Sequence, residues 1–362
     1  MAKYMNLFLA VFLISAALTL LLTPAAKKIA LKVGAVDRPS KRKIHKNIIP
    51  RFGGLSIFIS FVAAIIFSLV FAKSFGIKLN GREILALQGI LYGGTLITLL
   101  GLFDDLRGVP AFAKLAGQIA ASGVAVYFGA QILFVSTPFT KILMLGAWAI
   151  PVTVMWMVAI TNAINLIDGL DGLASGITFI AAATLFIVAV KMGQMDSAIL
   201  LAALAGAALG FLRYNFFPAS IFLGDSGSLL FGFLLACASI VGVLKSTLVI
   251  ALIIPIVVLG IPIYDTATAI IRRAIKGRPI FEADKKHLHH RLMKAGFNQR
   301  QVVIMIYVAC LILSLAALAA TVFDNYPTLI FLSLFVVVGI LTLDLAKDLL
   351  RNMYFLNGDR KK

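Results

Sequence analysis

A chain of 362 residues that is 61% hydrophobic and only 13% charged lies far outside the composition of soluble domains, in which about a quarter of residues are charged. It excludes a water-soluble globular enzyme, and no stretch outside its apolar runs is large enough to fold as a separate soluble domain. The formal net charge of +18 is expected to sit mostly at one membrane face, where it can draw anionic lipid head groups and anionic substrates.

Apolar runs of spanning length, about 20 residues each, fall near 5–23, 53–72, 84–103, 111–130, 142–161, 173–190, 197–212, 226–244, 247–270, 302–323 and 328–344. The pattern predicts an all-α, polytopic integral membrane protein with about eleven transmembrane helices. The first run is long, lacks a small-residue cleavage site and leads into a basic segment, so it is expected to be a retained helix rather than a secretory signal. Of the 33 lysines and arginines, 26 fall on one side of this arrangement, nine of them in 27–51, nine in 272–300 and five from Lys347 onward. Positive charge marks the cytoplasmic side, which places the N terminus outside and the C terminus in the cytoplasm.

Taken in chain order, the first polar cluster after the basic 27–51 loop is Gly101-Leu-Phe-Asp104-Asp105-Leu-Arg107-Gly108. Adjacent carboxylates repel, and at a membrane edge they need cations or hydrogen bonds to compensate them. A salt-bridged helix end using Arg107 is the alternative to a functional pair. Next comes Asn162-Ala-Ile-Asn165-Leu-Ile-Asp168-Gly169-Leu-Asp171-Gly172-Leu-Ala174, which sets two carboxamides and two carboxylates at three-residue intervals after an apolar run. That spacing keeps neighbours on nearby parts of one helical face, and the glycines let the backbone turn or approach a ligand. The pattern suits a site for a charged, metal-associated substrate, with an elaborate helix cap as the alternative.

Phe222-Leu-Gly224-Asp225-Ser226-Gly227-Ser228 places one carboxylate between glycines at the start of an apolar span. Asp225 there can cap the helix or bind a cation, and Phe222 can stack on a base or anchor the interface. Last, His287-Leu-His289-His290-Arg291 lies in a loop with Arg272, Arg273, Lys276, Arg278, Lys285, Lys286 and Lys294. Imidazoles and cations together can hold a phosphate, while a basic loop against lipid head groups is the alternative. Zinc does not fit, since no cysteine is near and a third and fourth ligand are missing. Cys237 and Cys310 both lie within spans and are expected to be packing residues. Nucleic acid is not an expected partner.

Asp104, Asp105, Asp168, Asp171, Asp225 and Asp284 all fall on the cytoplasmic side of this topology. A hard cation such as Mg²⁺ usually takes one or two carboxylates plus substrate phosphates, leaving the others for base, nucleophile or nucleotide-binding roles in phosphoryl chemistry.

In these residues the chain resembles the polyprenyl-phosphate N-acetylhexosamine 1-phosphate transferases. Asp104-Asp105, the 162–174 segment, Gly224-Asp225-Ser226-Gly227 and His287-Leu-His289-His290 follow one another in that family's order, over nearly the whole chain. Lys46 and Pro50-Arg51-Phe52-Gly53-Gly54 resemble its first cytoplasmic-loop signature. The His-Leu-His-His form, with Asp265 and Arg272-Arg273 upstream, is similar to the N-acetylglucosamine branch.

The resemblance implies one transmembrane catalytic domain over 1–362, its active site formed by cytoplasmic loops near 27–52, 104–110, 162–172, 213–225 and 272–300. The implied substrates are UDP-N-acetylglucosamine and a polyprenyl phosphate, undecaprenyl in bacteria, within membrane lipid. A phosphate oxygen of the lipid attacks the β-phosphorus, UMP leaves and a lipid-linked sugar diphosphate is formed for cell-envelope polysaccharide synthesis. Mg²⁺, with Mn²⁺ as a substitute, is the implied cofactor, and the inner membrane the implied location.

By the same resemblance Asp225 is a metal ligand, Asp104 activates the lipid phosphate, and Asp105 is a second catalytic or metal-supporting group. Asn165, Asp168, Asp171 and Phe222 look like the uridine-nucleotide pocket, and Asn162 is a further substrate-binding candidate. His287, His289, His290 and Arg291 look like sugar or phosphate contacts, and Lys46 and Arg51 are further pocket candidates. Direct in-line attack is preferred, because a phosphate monoester is already largely ionised near neutral pH, with an aspartyl-phosphate route left open. A homodimer is compatible with this reading. A multispan transporter is the alternative from another class, although carriers place their coupling residues near the bilayer midplane rather than at one face.

Overall fold

Apolar runs become helices because in hydrocarbon every backbone N–H and C=O must find its partner within its own segment. The computed structural model describes residues 2–39, 47–77, 79–135, 143–242, 250–275, 277 and 287–323. Within them run α1 (Ala2–Val33), the ribbon of β1 (Val36–Asp37) and β2 (Ile49–Pro50), α2 (Gly53–Phe71), α3 (Gly81–Arg107) and α4 (Ala111–Tyr127). A second ribbon of β3 (Phe134–Val135) and β4 (Leu143–Met144) precedes α5 (Ala149–Ile167), α6 (Leu173–Lys191), α7 (Met195–Asn215) and α8 (Gly224–Val241). The order closes with α9 (Ile250–Val258), α10 (Gly260–Ile275), α11 (Leu288–Lys294) and α12 (Gln299–Phe323).

Eight of these helices, α1, α2, α3, α5, α6, α7, α8 and α12, are long and apolar enough to cross a membrane. The protein is therefore all-α and multi-pass. The fourth expected span is α4, whose 17 residues extend about 25 Å at 1.5 Å per residue, at the lower end of what crosses a bilayer core. The ninth is divided into α9 and α10 at Leu259. Pro262 has no N–H to give the carbonyl four residues earlier, so the helix is interrupted there. The eleventh expected span, 328–344, lies outside the described residues, as do Lys46 and Asp284.

Alternation of direction collects the polar ends. The C-terminal ends of α1, α3, α5 and α7 and the starts of α2, α4, α6 and α8 meet at one face of the bundle, because consecutive spans run antiparallel. α7 and α8 are almost wholly buried, and α8 packs against α2, α3, α5 and α7. Their interiors are alanine, leucine and phenylalanine, and Ser15 on α1 donates to Ala203 O on α7 at 2.7 Å. Such small-residue and hydroxyl contacts hold helices where no hydrophobic drive separates protein from lipid.

Close approach is greatest where α8 begins. A Cβ on Gly54 would lie 2.3 Å from Gly227 N, and one on Gly101 would lie 2.3 Å from Ser226 Cα. Only glycine lets α2 and α3 approach this closely. The N-terminal turn of α8 is thus held between two backbones before any side chain contributes.

Candidate active site

α3 ends in the pair expected to carry chemistry, and the two carboxylates do different things. Asp105 is 9% exposed. Its Oδ1 accepts Asp225 N at 2.8 Å, and its Oδ2 accepts Ser226 N at 3.1 Å and Ser226 Oγ at 2.7 Å. It is a cap supplied by α3 to the free N–H groups that begin α8, the groups any helix start leaves unpaired. Asp104 turns the other way. Its Oδ1 accepts Val109 N, and its Oδ2 lies 2.6 Å from Lys114 Nζ.

Lys114, in the first turn of α4, joins Asp104 to Asp225, whose Oδ2 also pairs with the ammonium. The lysine side chain is only 19% exposed, so this triad is screened far less than a surface ion pair. Asn165 completes it from α5, donating from Nδ2 to Asp225 Oδ1 at 3.1 Å and to Ser228 Oγ at 2.8 Å. Four helices, α3, α4, α5 and α8, therefore set one charged centre. One turn back on α5, Asn162 exchanges hydrogen bonds with Gln118 of α4, Nδ2 to Oε1 at 2.6 Å and Nε2 to Oδ1 at 3.3 Å. Asn162 thus ties α4 to α5 and keeps Lys114 in register.

Beside this centre opens a cavity of about 670 Å³, lined from every part of the chain that the sequence singled out: Arg51, Asp105, Asp168, Asp171, Phe222, Asp225 and His290 among others. The loop after α5 is held on three sides. Asp171 Oδ2 accepts Ala219 N at 2.9 Å, Asn215 Oδ1 accepts Gly172 N at 3.2 Å, and Tyr307 OH of α12 donates to Gly172 O at 2.5 Å. Gly172 has φ +79°, a left-handed conformation that other residues adopt only with strain. Asp168 faces the cavity from this loop. Burial, then the carboxylates of Asp225, Asp105 and Asp171, push its carboxyl well above the ordinary range, with Arg51 opposing them.

Phe222 belongs to a segment paired by backbone bonds to the first loop: its N–H donates to Pro50 O at 2.8 Å and its carbonyl accepts Gly53 N at 3.2 Å. Arg51 is anchored at the same rim by an ion pair with the buried Asp37.

The histidine group divides. His290 lines the cavity, whereas His287 and His289 are buried at 5% and 2% exposure. His289 packs on the Asp168 loop, where a Cβ on Gly169 would lie 2.4 Å from its Nε2. Its Nδ1 is buried without a hydrogen-bond partner. Burial first, then neighbouring His290, lowers its pKa to about 4, so the ring is neutral near pH 7. Arg291 follows on α11, outside the cavity lining.

Lys114, Gln118, Asn215 and Asp37 are structural members of the site that motif reading passed over. The signal for the first two was available: a lysine and a glutamine four apart in an apolar run lie on one helix face and need polar partners.

The donor set suits a hard divalent cation. Asp104 and Asp225 already share one cationic group, the Lys114 ammonium, so their oxygens converge on a single cation-sized position. Among the described residues no group of three or more His, Cys, Asp or Glu side chains is placed to hold a metal. Mg²⁺ needs no such cage, since it commonly takes one or two carboxylates and fills its shell with substrate phosphate and water.

Residues 87–243 match the model of a family described as glycosyl transferase family 4. The chain is 41% identical, over 90% of its length and 87% of the relative's, to a Bacillus subtilis (strain 168) protein named probable undecaprenyl-phosphate N-acetylglucosaminyl 1-phosphate transferase. It is 36% identical, over 91% of its length and 87% of the relative's, to the Mycobacterium tuberculosis (strain ATCC 25618 / H37Rv) decaprenyl-phosphate N-acetylglucosaminephosphotransferase. It is 29% identical, over 86% of its length and 83% of the relative's, to the Escherichia coli (strain K12) undecaprenyl-phosphate alpha-N-acetylglucosaminyl 1-phosphate transferase. Near-full-length identity of this order, joined to the ordered motifs around one cavity, means that the chain belongs to the polyprenyl-phosphate N-acetylhexosamine 1-phosphate transferase family, in its N-acetylglucosamine branch.

Proposed function

We propose that the protein transfers N-acetylglucosamine 1-phosphate from UDP-N-acetylglucosamine to a polyprenyl phosphate, opening cell-envelope polysaccharide synthesis. The observation that carries this reading is the convergence of Asp104, Lys114, Asn165 and Asp225 at the edge of a 670 Å³ cavity. A cavity of that size falls within the range that holds a nucleotide-sized ligand, roughly 300–1,000 Å³. A lipid phosphate oxygen forms the new bond to the β-phosphorus, the bond from that phosphorus to the bridging oxygen breaks, and UMP leaves with the electron pair. In-line transfer needs little covalent help from the protein, so positioning and charge stabilisation do most of the work.

Asp225, with Asp104 opposite and Asn165 beside it, would hold Mg²⁺ or Mn²⁺, which when bound neutralises phosphate charge in the transition state. Lys114, released from the carboxylates as substrate enters, turns its ammonium to the phosphates. Asp104 orients the attacking lipid phosphate, whose oxygens are largely ionised already. Asp105 serves through its cap: three donors occupy its two oxygens, and it fixes where Asp225 stands. Phe222 offers its ring to uracil. Asp168, which retains its proton more readily than an ordinary carboxyl, and Asp171 form the nucleotide wall. His290 and Arg51 face the sugar and phosphates, and Lys46 is a further substrate-binding candidate of the first loop.

The whole chain, 1–362, acts as one catalytic unit, with the site built from loops near 27–52, 104–110, 162–172, 213–225 and 272–300. About eleven spans put the N terminus outside and the site on the cytoplasmic face of the inner membrane, where the basic loops lie. Undecaprenyl phosphate is the acceptor we favour over decaprenyl, following the 41% identical Bacillus relative. Purified protein in detergent, given UDP-N-acetylglucosamine and Mg²⁺, should release UMP only when undecaprenyl phosphate is added. No lipid-dependent UMP from folded protein, together with uptake of a nucleotide sugar or lipid-linked sugar into proteoliposomes, would make it a transporter.

A further inference from the structure

The start of α8 is capped by a carboxylate from another helix, and the same device recurs at α11. His287, at the N-cap position of α11, makes no side-chain cap bond of its own. Instead Asp265 of α10 reaches across: its Oδ1 accepts Leu288 N at 2.8 Å and its Oδ2 lies 2.8 Å from His287 Nδ1. All three groups are buried, Asp265 at 3%, His287 at 5% and Leu288 at 6% exposure. The contact between His287 Nδ1 and Asp265 Oδ2 holds the imidazole in one orientation at the base of α11.

Burying a carboxylate is costly, and its retention calls for a partner that it alone satisfies. Here the partner is the base of a seven-residue helix, too short to hold itself. From that base, His289 packs against Gly169 of the nucleotide-side loop and His290 reaches the cavity wall. His289 and His290 rings sit 4.3 Å apart, so displacement of one is felt by the other.

We infer that Asp265 is a positioning residue for the nucleotide-sugar side of the site: by fixing His287 and the first turn of α11, it sets His290 in the cavity and His289 on the Asp168 loop. It touches no substrate and works through α11. The charged centre of Asp104, Lys114 and Asp225 stands on other helices, so the effect separates by substrate. This rests on the transferase reading given above, and wild-type turnover tests that reading independently.

The experiment measures kcat and the KM for UDP-N-acetylglucosamine and for undecaprenyl phosphate separately, in wild type, Asp265→Ala, Asp265→Asn, His290→Ala and Asp265→Asn/His290→Ala. Loss of substrate positioning away from the reacting atoms raises KM more than it lowers kcat. Asp265→Ala should raise the nucleotide-sugar KM about tenfold, leaving the lipid KM within about twofold and kcat within about threefold. Asp265→Asn, which keeps an acceptor for Leu288 N, should recover at least half of that loss on a logarithmic scale. If Asp265→Ala does not fold, the double variant decides: its nucleotide-sugar KM should rise over that of His290→Ala by less than Asp265→Asn raises it over wild type, because part of the action of Asp265 passes through His290. Equal shifts in both KM values, a fall in kcat alone, no change at all, or additive effects in the double variant would overturn the proposal while wild-type turnover leaves the reaction standing.

Discussion

Two helix starts in this molecule are capped by a carboxylate from elsewhere, and under the proposed function the difference between them separates chemistry from recognition. At α8, Asp105 caps a helix that is almost wholly buried between α2, α3 and α5, and the carboxylate that follows is joined to Lys114 and Asp104. At α11, Asp265 caps a helix of seven residues that sets His289 on the Asp168 loop and His290 in the cavity wall. The first is a rigid, ionic centre built on long helices, which is what charge stabilisation in a transition state requires. The second rests on a short element held at a few points, which suits selection among substrates by shape and hydrogen bonding.

The sharpest way to break this comparison is to remove the cation shared by the first site. Lys114→Met should lower kcat by about 10²- to 10³-fold, the usual consequence of deleting one charge-stabilising group, with the nucleotide-sugar KM little changed. Steady-state UMP release checks it. A rise in KM alone would place Lys114 on the recognition side.

The second site answers to pH. The pKa of His289 in the folded protein, about 4, lies below its ordinary value of 6.5. Between these values the unfolded chain binds a proton that the folded chain does not, so the stability contributed by the neutral ring is complete above pH 6.5 and lost as pH falls toward 4. At 1.36 kcal/mol per pH unit, the loss between pH 7 and 5 is about 2 kcal/mol. The apparent Tm of wild type should therefore drop over that interval more steeply than that of His289→Gln, and parallel curves would remove His289 from the account.

Phe222 lies between the two regions. If its ring stacks on uracil, Phe222→Ala should raise the nucleotide-sugar KM by about tenfold, in line with the 1–3 kcal/mol of a stacked base. Competition by UMP, measured as Ki, should weaken in parallel, and an unchanged Ki would return Phe222 to an interfacial anchor.

The same contrast explains what the sequence disclosed. Apolar runs are self-announcing, because a spanning helix must be apolar for its whole length, and eight of them appear as expected. The run at 247–270 is broken at Leu259 by the proline that follows, and the run at 111–130 gives the shorter α4. The motif residues Asp104, Asn165, Asp168, Asp225 and His290 were legible because charge or imidazole at a membrane edge is costly and its clustering conspicuous. The roles of Asp105 and Asp265 were not, since a carboxylate that caps a helix 120 or 23 positions away has no local signature. Lys114 was half legible: with Gln118 four residues on it marks a polar face in an apolar run, but its partners come from α3 and α8, and only folding names them. Burial likewise divided His287 and His289 from His290, which three histidines in four positions do not reveal.

The proposed reaction depends most on Asp225 standing at the transferring phosphate. The most direct test is UMP release by Asp225→Asn, alongside UMP binding to the same preparation at saturating Mg²⁺. The account predicts a fall in kcat of about 10²-fold or more, with UMP affinity within about threefold of wild type. Turnover within about threefold of wild type would contradict it, and so would loss of UMP binding with kcat retained, since either result would move Asp225 out of the chemical step.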